Sequence, residues 1–423
     1  MRMASIGAPK GLFAGVMAPI MRYERHLAAA GMVAGFGIDN LTFGRIDRPG
    51  AHLIFGSYLF VAAATIAAAH RLQTRADERE KKRLAFAAAA PIPDPNAQPA
   101  AEAVSADRPL TAARASRVAT EHLENGSVHT STGPRWRKWL PAATQFALGG
   151  LWSGFLVFYW RSAALPASWF FLLTLAAFLI GNEVFRRYHS RLVFATLLLF
   201  FAAYSYAVFT LPLLTRSIGK ASFLASGAVA VAFYIVFLNI LERLGRPGFA
   251  QSRWRLLGGA VLITAAMNLF YFAGILPPLP LALNRIGIYH TVKHEGAIYE
   301  AAAEPAPWYT AYGIGTPVMH VLPGQPLALY SAVFAPIRLT TRITHRWEWY
   351  NPKLARWTDQ SKVSFAISGG RDGGYRAYTV KSNPKPGKWR VDIDTIDGRL
   401  IGRLRFDVAA ASSAPATQTV TLN

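Results

Sequence analysis

Five long apolar runs, at residues 140–160, 165–185, 192–214, 221–241 and 256–281, constrain this chain more than any other feature. Each has about the twenty apolar residues that a helix needs to cross the hydrocarbon core of a bilayer. A soluble core helix of that length would carry a polar stripe along its outer face, and these runs carry almost none. Two further runs precede them, at 27–44 and 51–69; the first is rich in Gly and Ala, which allows helices to approach closely in a bilayer. The expected architecture is therefore a polytopic α-helical membrane bundle of about seven transmembrane helices.

Basic residues orient the bundle. The segment after the second span holds Arg71, Arg75, Arg79, Lys81, Lys82 and Arg83. The break after the fourth holds Arg186, Arg187 and Arg191, and the one after the sixth holds Arg243, Arg246, Arg253 and Arg255. The intervening breaks carry fewer charges. Lys and Arg accumulate in cytoplasmic loops, so this pattern places the N-terminus in the cytoplasm of a bacterial cell and everything past the last span in the periplasm. It also accounts for the formal net charge of +22 without nucleic acid, because no stretch interleaves basic and aromatic residues as a nucleic-acid reader does. Trp136, Trp139, Tyr159, Trp160, Trp169 and Trp254 sit at the ends of the runs, where amphipathic rings favour the headgroup level.

Residues 1–25 read as an uncleaved interfacial helix, and residues 1–70 hold it together with the first two spans. Within the linker at 71–138, residues 71–86 extend the second helix as a charged stalk. From residue 87 the composition turns to Ala, Pro and Ser, too poor in large apolar residues to fold alone. The five-helix region spans 139–283 and a connector 284–306. From residue 307 the periodicity changes to two, typical of strands: Leu339, Thr341, Ile343, His345, Trp347 and Trp349 share one face, and Arg342, Thr344, Arg346, Glu348 and Tyr350 the other. Val363, Phe365 and Ile367 read as the inward set of a second strand. Asp397-Gly398 marks a tight type I′ hairpin turn. Residues 307–408 are thus an all-β sandwich-like extracytoplasmic domain, followed by a frayed tail at 409–423. The chain contains no cysteine, so packing rather than disulfides must hold that domain.

The stretch 345–408 resembles a bacterial domain known as domain of unknown function 2914. The resemblance rests on His345-Arg346-Trp347, Ser368-Gly369-Gly370-Arg371, Gly374-Tyr375-Arg376, Pro386-Gly387-Lys388-Trp389-Arg390-Val391 and Ile401-Gly402. It extends in weaker form to 278–290 and 35–47. It implies a membrane-tethered extracytoplasmic β-domain and brings no catalytic residues.

Three sets of residues are candidate sites. Arg342, Arg346, Trp357, Arg371, Tyr375, Arg376 and Tyr378 offer rings that stack on sugar faces and guanidinium groups that pair with carboxylate or phosphate. Such a face suits an acidic envelope glycan, a lipid headgroup or a periplasmic protein; the opposing reading is that Trp347, Trp349 and Trp389 are core and the arginines a solvated face. His290, His294 and Glu295, with His320 or His345, have a zinc-like spacing only on a helix, and no metal or cofactor is expected. Asp39, Asn40 and Asn268 are polar groups within the spans, whereas Asn182, Glu183, Asn239 and Glu242 lie nearer the helix ends. Glu183 and Glu242 are expected to pair with Arg186 and Arg243, and Asp39 with Arg45. The function expected is ligand or partner binding by the outer domain, without catalysis. The alternative is a transporter component or an integral-membrane enzyme with its site in the bundle.

Overall fold

The structure, a computed structural model, describes residues 36–37, 39, 49–89, 139–162, 164–184, 191–278, 280–296, 298–305, 315–337, 339–371 and 373–422. The N-terminal half is helical: α1 Pro49–Ala89, α2 Leu140–Ser162, α3 Leu165–Val184, α4 Leu192–Thr215, α5 Lys220–Leu244 and α6 Arg246–Phe272. Five of these, all but α3, are long and apolar enough to cross a membrane. A total of seven is not supported. The expected span at 27–44 and the interfacial helix at 1–25 lie outside the described residues, apart from Phe36, Gly37 and Asp39.

The helices pack through aromatic rings and small residues. Phe55 of α1 stacks on Phe155 of α2 at 5.5 Å, and Trp152 of α2 lies 5.2 Å from both Phe178 of α3 and Phe201 of α4. Gly150 gives the Tyr58 ring room that a side chain would fill. At 41 residues α1 is about 60 Å long, roughly twice a hydrocarbon core, and its exposed second half is the charged stalk. Two helix limits differ from expectation. The apolar run beginning at 256 marks only part of α6, which starts at Arg246. The run also outlasts the helix: Gly274 adopts φ 71°, and the Ile275 N–H donates back to the Phe270 carbonyl, closing α6 in a glycine-dependent cap. Leu281 then leaves the bundle and joins the β core. Trp139, Trp160 and Trp169 are exposed near the helix ends as expected; Trp254 is exposed but lies inside α6, and Tyr159 is fully buried and donates its hydroxyl to the Ser205 carbonyl.

Among the described residues eleven strands follow: β1 Ala282–Tyr289, β2 Thr291–Glu295, β3 Ile298–Ala303, β4 Val318–Val321, β5 Leu327–Phe334, β6 Thr340–Asn351, β7 Arg356–Ser368, β8 Tyr375–Lys381, β9 Gly387–Thr395, β10 Leu400–Ala410 and β11 Gln418–Leu422. The stretch expected to be a connector therefore forms β1, β2 and β3, and the tail expected to fray supplies β11, which pairs with β3. Three sheets form instead of the two of a simple sandwich: β1-β5-β8, β4-β10-β9-β6-β7 and β11-β3-β2. The first is the middle layer. Leu327 and Leu329 pack with Trp347, Trp389 and Phe406 on one side, while Ala328, Tyr330 and Ala332 pack with Val292, Ala301 and Leu422 on the other. Strand β5 is accordingly buried at all eight positions, as a strand covered on both faces must be.

The expected alternation in β6 holds, with Ile343, His345 and Trp347 buried. It fails in β7, an edge strand in which Ile367 is buried, Phe365 partly so and Val363 exposed. At the β9–β10 turn only Gly398 takes a positive φ (78°), so the turn is not type I′ but a longer loop with an irregularity between Leu400 and Gly402.

One end of the β-domain rests on the helices. Ala282 and Phe334 pack into the helical core, Ile218 packs into the β core, and Asp397 lies against Gly219 at the start of α5.

Candidate functional site

The expected binding face does not assemble as one surface. Arg342 and Arg346 belong to β6 and Trp357 to β7 of the five-stranded sheet, whereas Tyr375, Arg376 and Tyr378 belong to β8 of the middle sheet, preceded by Arg371.

On the five-stranded sheet the charges neutralise one another. Arg346 donates to Asp394 and Asp392 at 3.1 Å each, Arg390 to both oxygens of Glu348 at 2.5 and 3.0 Å, and Arg403 to both oxygens of Asp392 at 2.6 Å. The acids are buried beneath these arginines; burial pushes the Asp394 carboxyl up to about 6, against the pull of Arg346. The Trp357 ring is covered by Arg390 at 4.6 Å. Paired bidentate charges of this kind order a sheet face and leave Arg346 and Trp357 engaged. Arg342 remains exposed near the helix-facing end.

The middle sheet is different. Antiparallel pairing sets Arg285, Ala332 and Arg376 in one row and Gly287, Tyr330 and Tyr378 in the next. Tyr299, from β3, lies over that face, 5.6 Å from the Tyr330 ring and 6.5 Å from Tyr378, and its hydroxyl donates to the Arg376 carbonyl at 3.4 Å. His294 stacks on Tyr299 at 4.2 Å, and the Arg371 guanidinium lies 5.6 Å from the Tyr375 ring centre. Burial raises the Tyr299 and Tyr330 phenols, partly offset by Arg371 and Arg376 at the first and by Arg376 and Arg285 at the second. The Tyr330 hydroxyl is buried without a hydrogen-bond partner. Four of the seven expected residues therefore meet here, joined by Arg285, His294 and Tyr299. Sequence reasoning missed Arg285 and Tyr299, which come from strands in the supposed connector, and placed His294 in a metal-like set instead.

His290, His294 and Glu295 do not converge. His290 lies 2.7 Å from one Glu304 oxygen, and His320 lies 2.8 Å from the other, with its backbone N–H also donating to Glu304. Burial would raise the Glu304 carboxyl, but the bonds from His320 and His290 hold it below the usual range. One carboxylate thus ties β3 to β4 and to the β1–β2 junction. No group of three ligand-type side chains fit to hold a metal occurs among the described residues. His345 sits between Ser331 at 2.9 Å and Thr379 at 3.0 Å, and Trp347 donates to Thr379. The Ser331–His345 contact has a nucleophile's geometry, yet both residues are fully buried, and the set joins sheets instead of meeting substrate. Burial lowers the His345 imidazole to about 4.

Among the helices, Ser153 donates to Asp39 at 2.5 Å, nine residues before the end of α2. The expected partner Arg45 is outside the described residues, as are Asn40 and the Asn182 and Glu183 side chains. Asn268 donates to the Thr264 carbonyl of its own helix at 2.8 Å, and Glu242 pairs with Arg253 at 2.9 Å instead of with Arg243.

Comparison with known proteins bears on the β half. None of the curated proteins matches this chain. Among solved structures, an immunoglobulin-like protein from Pseudomonas aeruginosa is 16% identical over 28% of this chain and 97% of its own, with a TM-score of 0.17. A β-glucosidase from Listeria innocua is 9% identical over 28% of this chain and 17% of its own, also at 0.17. An alkylpurine DNA glycosylase from Pseudomonas fluorescens is 11% identical over 65% and 87%, at 0.20. At such scores none of them informs the fold or activity. Residues 340–408, from β6 to β10, match the family model described as "Protein of unknown function (DUF2914)". The C-terminal region of this chain therefore carries a DUF2914 domain, as its Gly-Gly-Arg, Gly-Tyr-Arg and Pro-Gly-Lys-Trp-Arg blocks suggest.

Proposed function

We propose that this is a bacterial inner-membrane protein whose helices hold the β-domain on the periplasmic side, where it binds an anionic envelope ligand without catalysing a reaction. The carrying observation is the convergence of Arg285, Arg371 and Arg376 on the Tyr299–Tyr330–Tyr378 face. Guanidinium groups beside aromatic rings recognise a carboxylate or phosphate carried on a flat-faced or apolar body. The Arg-rich breaks between the helices support the orientation. A second reading, transport or catalysis within the bundle, draws on the Asp39–Ser153 bond, because a carboxylate at that depth is costly to keep.

One comparison separates the two. The full chain in nanodiscs is titrated with an acidic polysaccharide and, separately, with anionic vesicles. The double variant Arg371→Ala/Arg376→Ala is expected to lose binding to at least one probe, and Asp39→Ala to retain it. Unchanged binding in the arginine variant, with loss in Asp39→Ala, would move the site into the bundle.

A further inference from the structure

The binding face has a position as well as a chemistry. Register places Ala282 of β1, Phe334 of β5 and Tyr375 of β8 at the same end of the middle sheet, the end at which Ala282 and Phe334 enter the helical core. The β9–β10 turn reaches that end too, with Asp397 against Gly219. So does the glycine-rich loop after β7: the Gly370 N–H donates to the Ala335 carbonyl and the Gly369 N–H to the Leu339 carbonyl, setting Arg371 beside the loop that carries Ile337. Ile396 and Ile337, at 65% and 58% exposed, are the two most exposed large aliphatic side chains of the β-domain among the described residues. Both project from these helix-facing loops rather than from the far end.

The helices mark where the membrane surface would lie. Trp160 and Trp169 are exposed at the end of α2 and the start of α3, on the β-domain side, and Trp139 is exposed at the start of α2. The 21 residue-to-residue steps from Trp139 to Trp160 correspond to about 31 Å of helix, close to the thickness of a hydrocarbon core. The β-domain's helix-facing end thus begins at headgroup level.

We infer that this end is a lipid-contacting rim: Ile337 and Ile396 enter the interface, and Arg342, Arg371, Arg376 and Arg285 hold the phosphates of anionic phospholipids in the same leaflet. The inference rests on the reading that the helices span a bilayer and that the arginine face binds anions; it names the anion. Apolar tips flanked by arginine suit a surface whose outer layer is phosphate and whose next layer is hydrocarbon. An acidic glycan would satisfy the arginines but leave both isoleucines in water.

The absence of cysteine makes the test clean. Single variants Ile337→Cys, Ile396→Cys and Leu354→Cys of the full chain, the last at the exposed β6–β7 turn far from the helices, are labelled with an environment-sensitive fluorophore in nanodiscs. Lipids spin-labelled near the glycerol then quench by contact, either as phosphatidylcholine or as phosphatidylglycerol. The expected result is strong quenching at 337 and 396 and none at 354. Quenching by the anionic lipid should exceed that by the zwitterionic one by about fivefold per arginine engaged, and the excess should disappear in Arg371→Ala/Arg376→Ala. Equal quenching at all three positions, or no preference for the anionic lipid, overturns the inference. If the acidic polysaccharide still binds through Arg371 and Arg376 in that case, the binding function stands with a different ligand; if neither probe binds, both fall.

Discussion

The Arg399 guanidinium lies over the Tyr271 ring, 4.6 Å from its centre, and Tyr271 in turn stacks on Phe223 at 3.8 Å. Arg399 closes the β9–β10 turn, Tyr271 ends α6 and Phe223 begins α5, so one column of three side chains fastens the β-domain to two helices. Burial pulls the Arg399 guanidinium below its ordinary value, against the opposing influence of Tyr271 and Asp397.

Removing the top of this column should loosen the docking without unfolding either half. Arg399→Ala is expected to cost about 2 kcal/mol, the scale of a desolvated cation–π contact. Arg399→Lys should lose a large part of this, since a point charge does not stack as a planar group does. Hydrogen exchange should rise at residues 395–399 and at the end of α6, with the centres of β6 and β9 unchanged. Protection unaffected at the turn would mean that the column carries no load.

Two buried titratable groups give opposite pH dependences. His345 is lowered from 6.5 to about 4, so its contribution is complete above 6.5 and is lost as pH falls through that window. Asp394 is raised from 3.8 to about 6, so its contribution is complete below 3.8 and is lost as pH rises towards and past 6. Each amounts to about 3 kcal/mol, and the two largely cancel between pH 4 and 6. Thermal melts across that range should therefore slope in opposite directions for the single variants. Asp394→Asn should lose stability toward acid and His345→Asn toward neutrality; slopes of the same sign would show that one of the two groups titrates normally.

The paired charges on the outer sheet face are structural. Asp392 is fully buried and serves both Arg403 and Arg346, so Asp392→Ala strands Arg403 and leaves Arg346 with Asp394. A loss of about 3–5 kcal/mol is expected, typical of breaking one side of a buried pair. Chemical denaturation followed by tryptophan emission would report it, because Trp347 and Trp389 lie in the core on the other side of the same strands. A loss below 1 kcal/mol, the range of surface ion pairs, would contradict the burial.

Gly369 is required by close approach rather than by conformation. A Cβ at this position would strike the Pro336 carbonyl oxygen, a backbone atom that cannot rotate away. Gly369→Ala should displace the loop that carries Arg371, weakening anion binding more than it lowers the melting temperature. Wild-type binding in this variant would mean that Arg371 does not depend on the loop.

Much of the helical half was legible because length and continuous apolarity report burial in lipid or protein directly. The limits that slipped are those where apolarity and helicity part company, as at Gly274, where a helix cap precedes the end of the apolar run. In the β half, alternation identified Ile343, His345 and Trp347 as inward, but it could not reveal that Val363 lies on an edge strand, since pairing partners are remote in sequence. Strands β2, β3 and β11 escaped because each is short and gains its burial from the middle sheet, and β1, a strand of that sheet, follows the last apolar run directly. Their loss hid Arg285 and Tyr299 and left His294 read as part of a metal-like set. Arg346 and Trp357 looked available because the acids that occupy Arg346 and the arginine that covers Trp357 sit on β9, across the sheet.

The most direct test of a helix-anchored β-domain outside the cytoplasm is the accessibility of Leu354→Cys, since this position is exposed and the chain has no other thiol. A membrane-impermeant maleimide applied to intact spheroplasts should label it fully, with no further gain after lysis. Labelling that appears only after lysis would put the β-domain in the cytoplasm and contradict the orientation on which the proposed function depends.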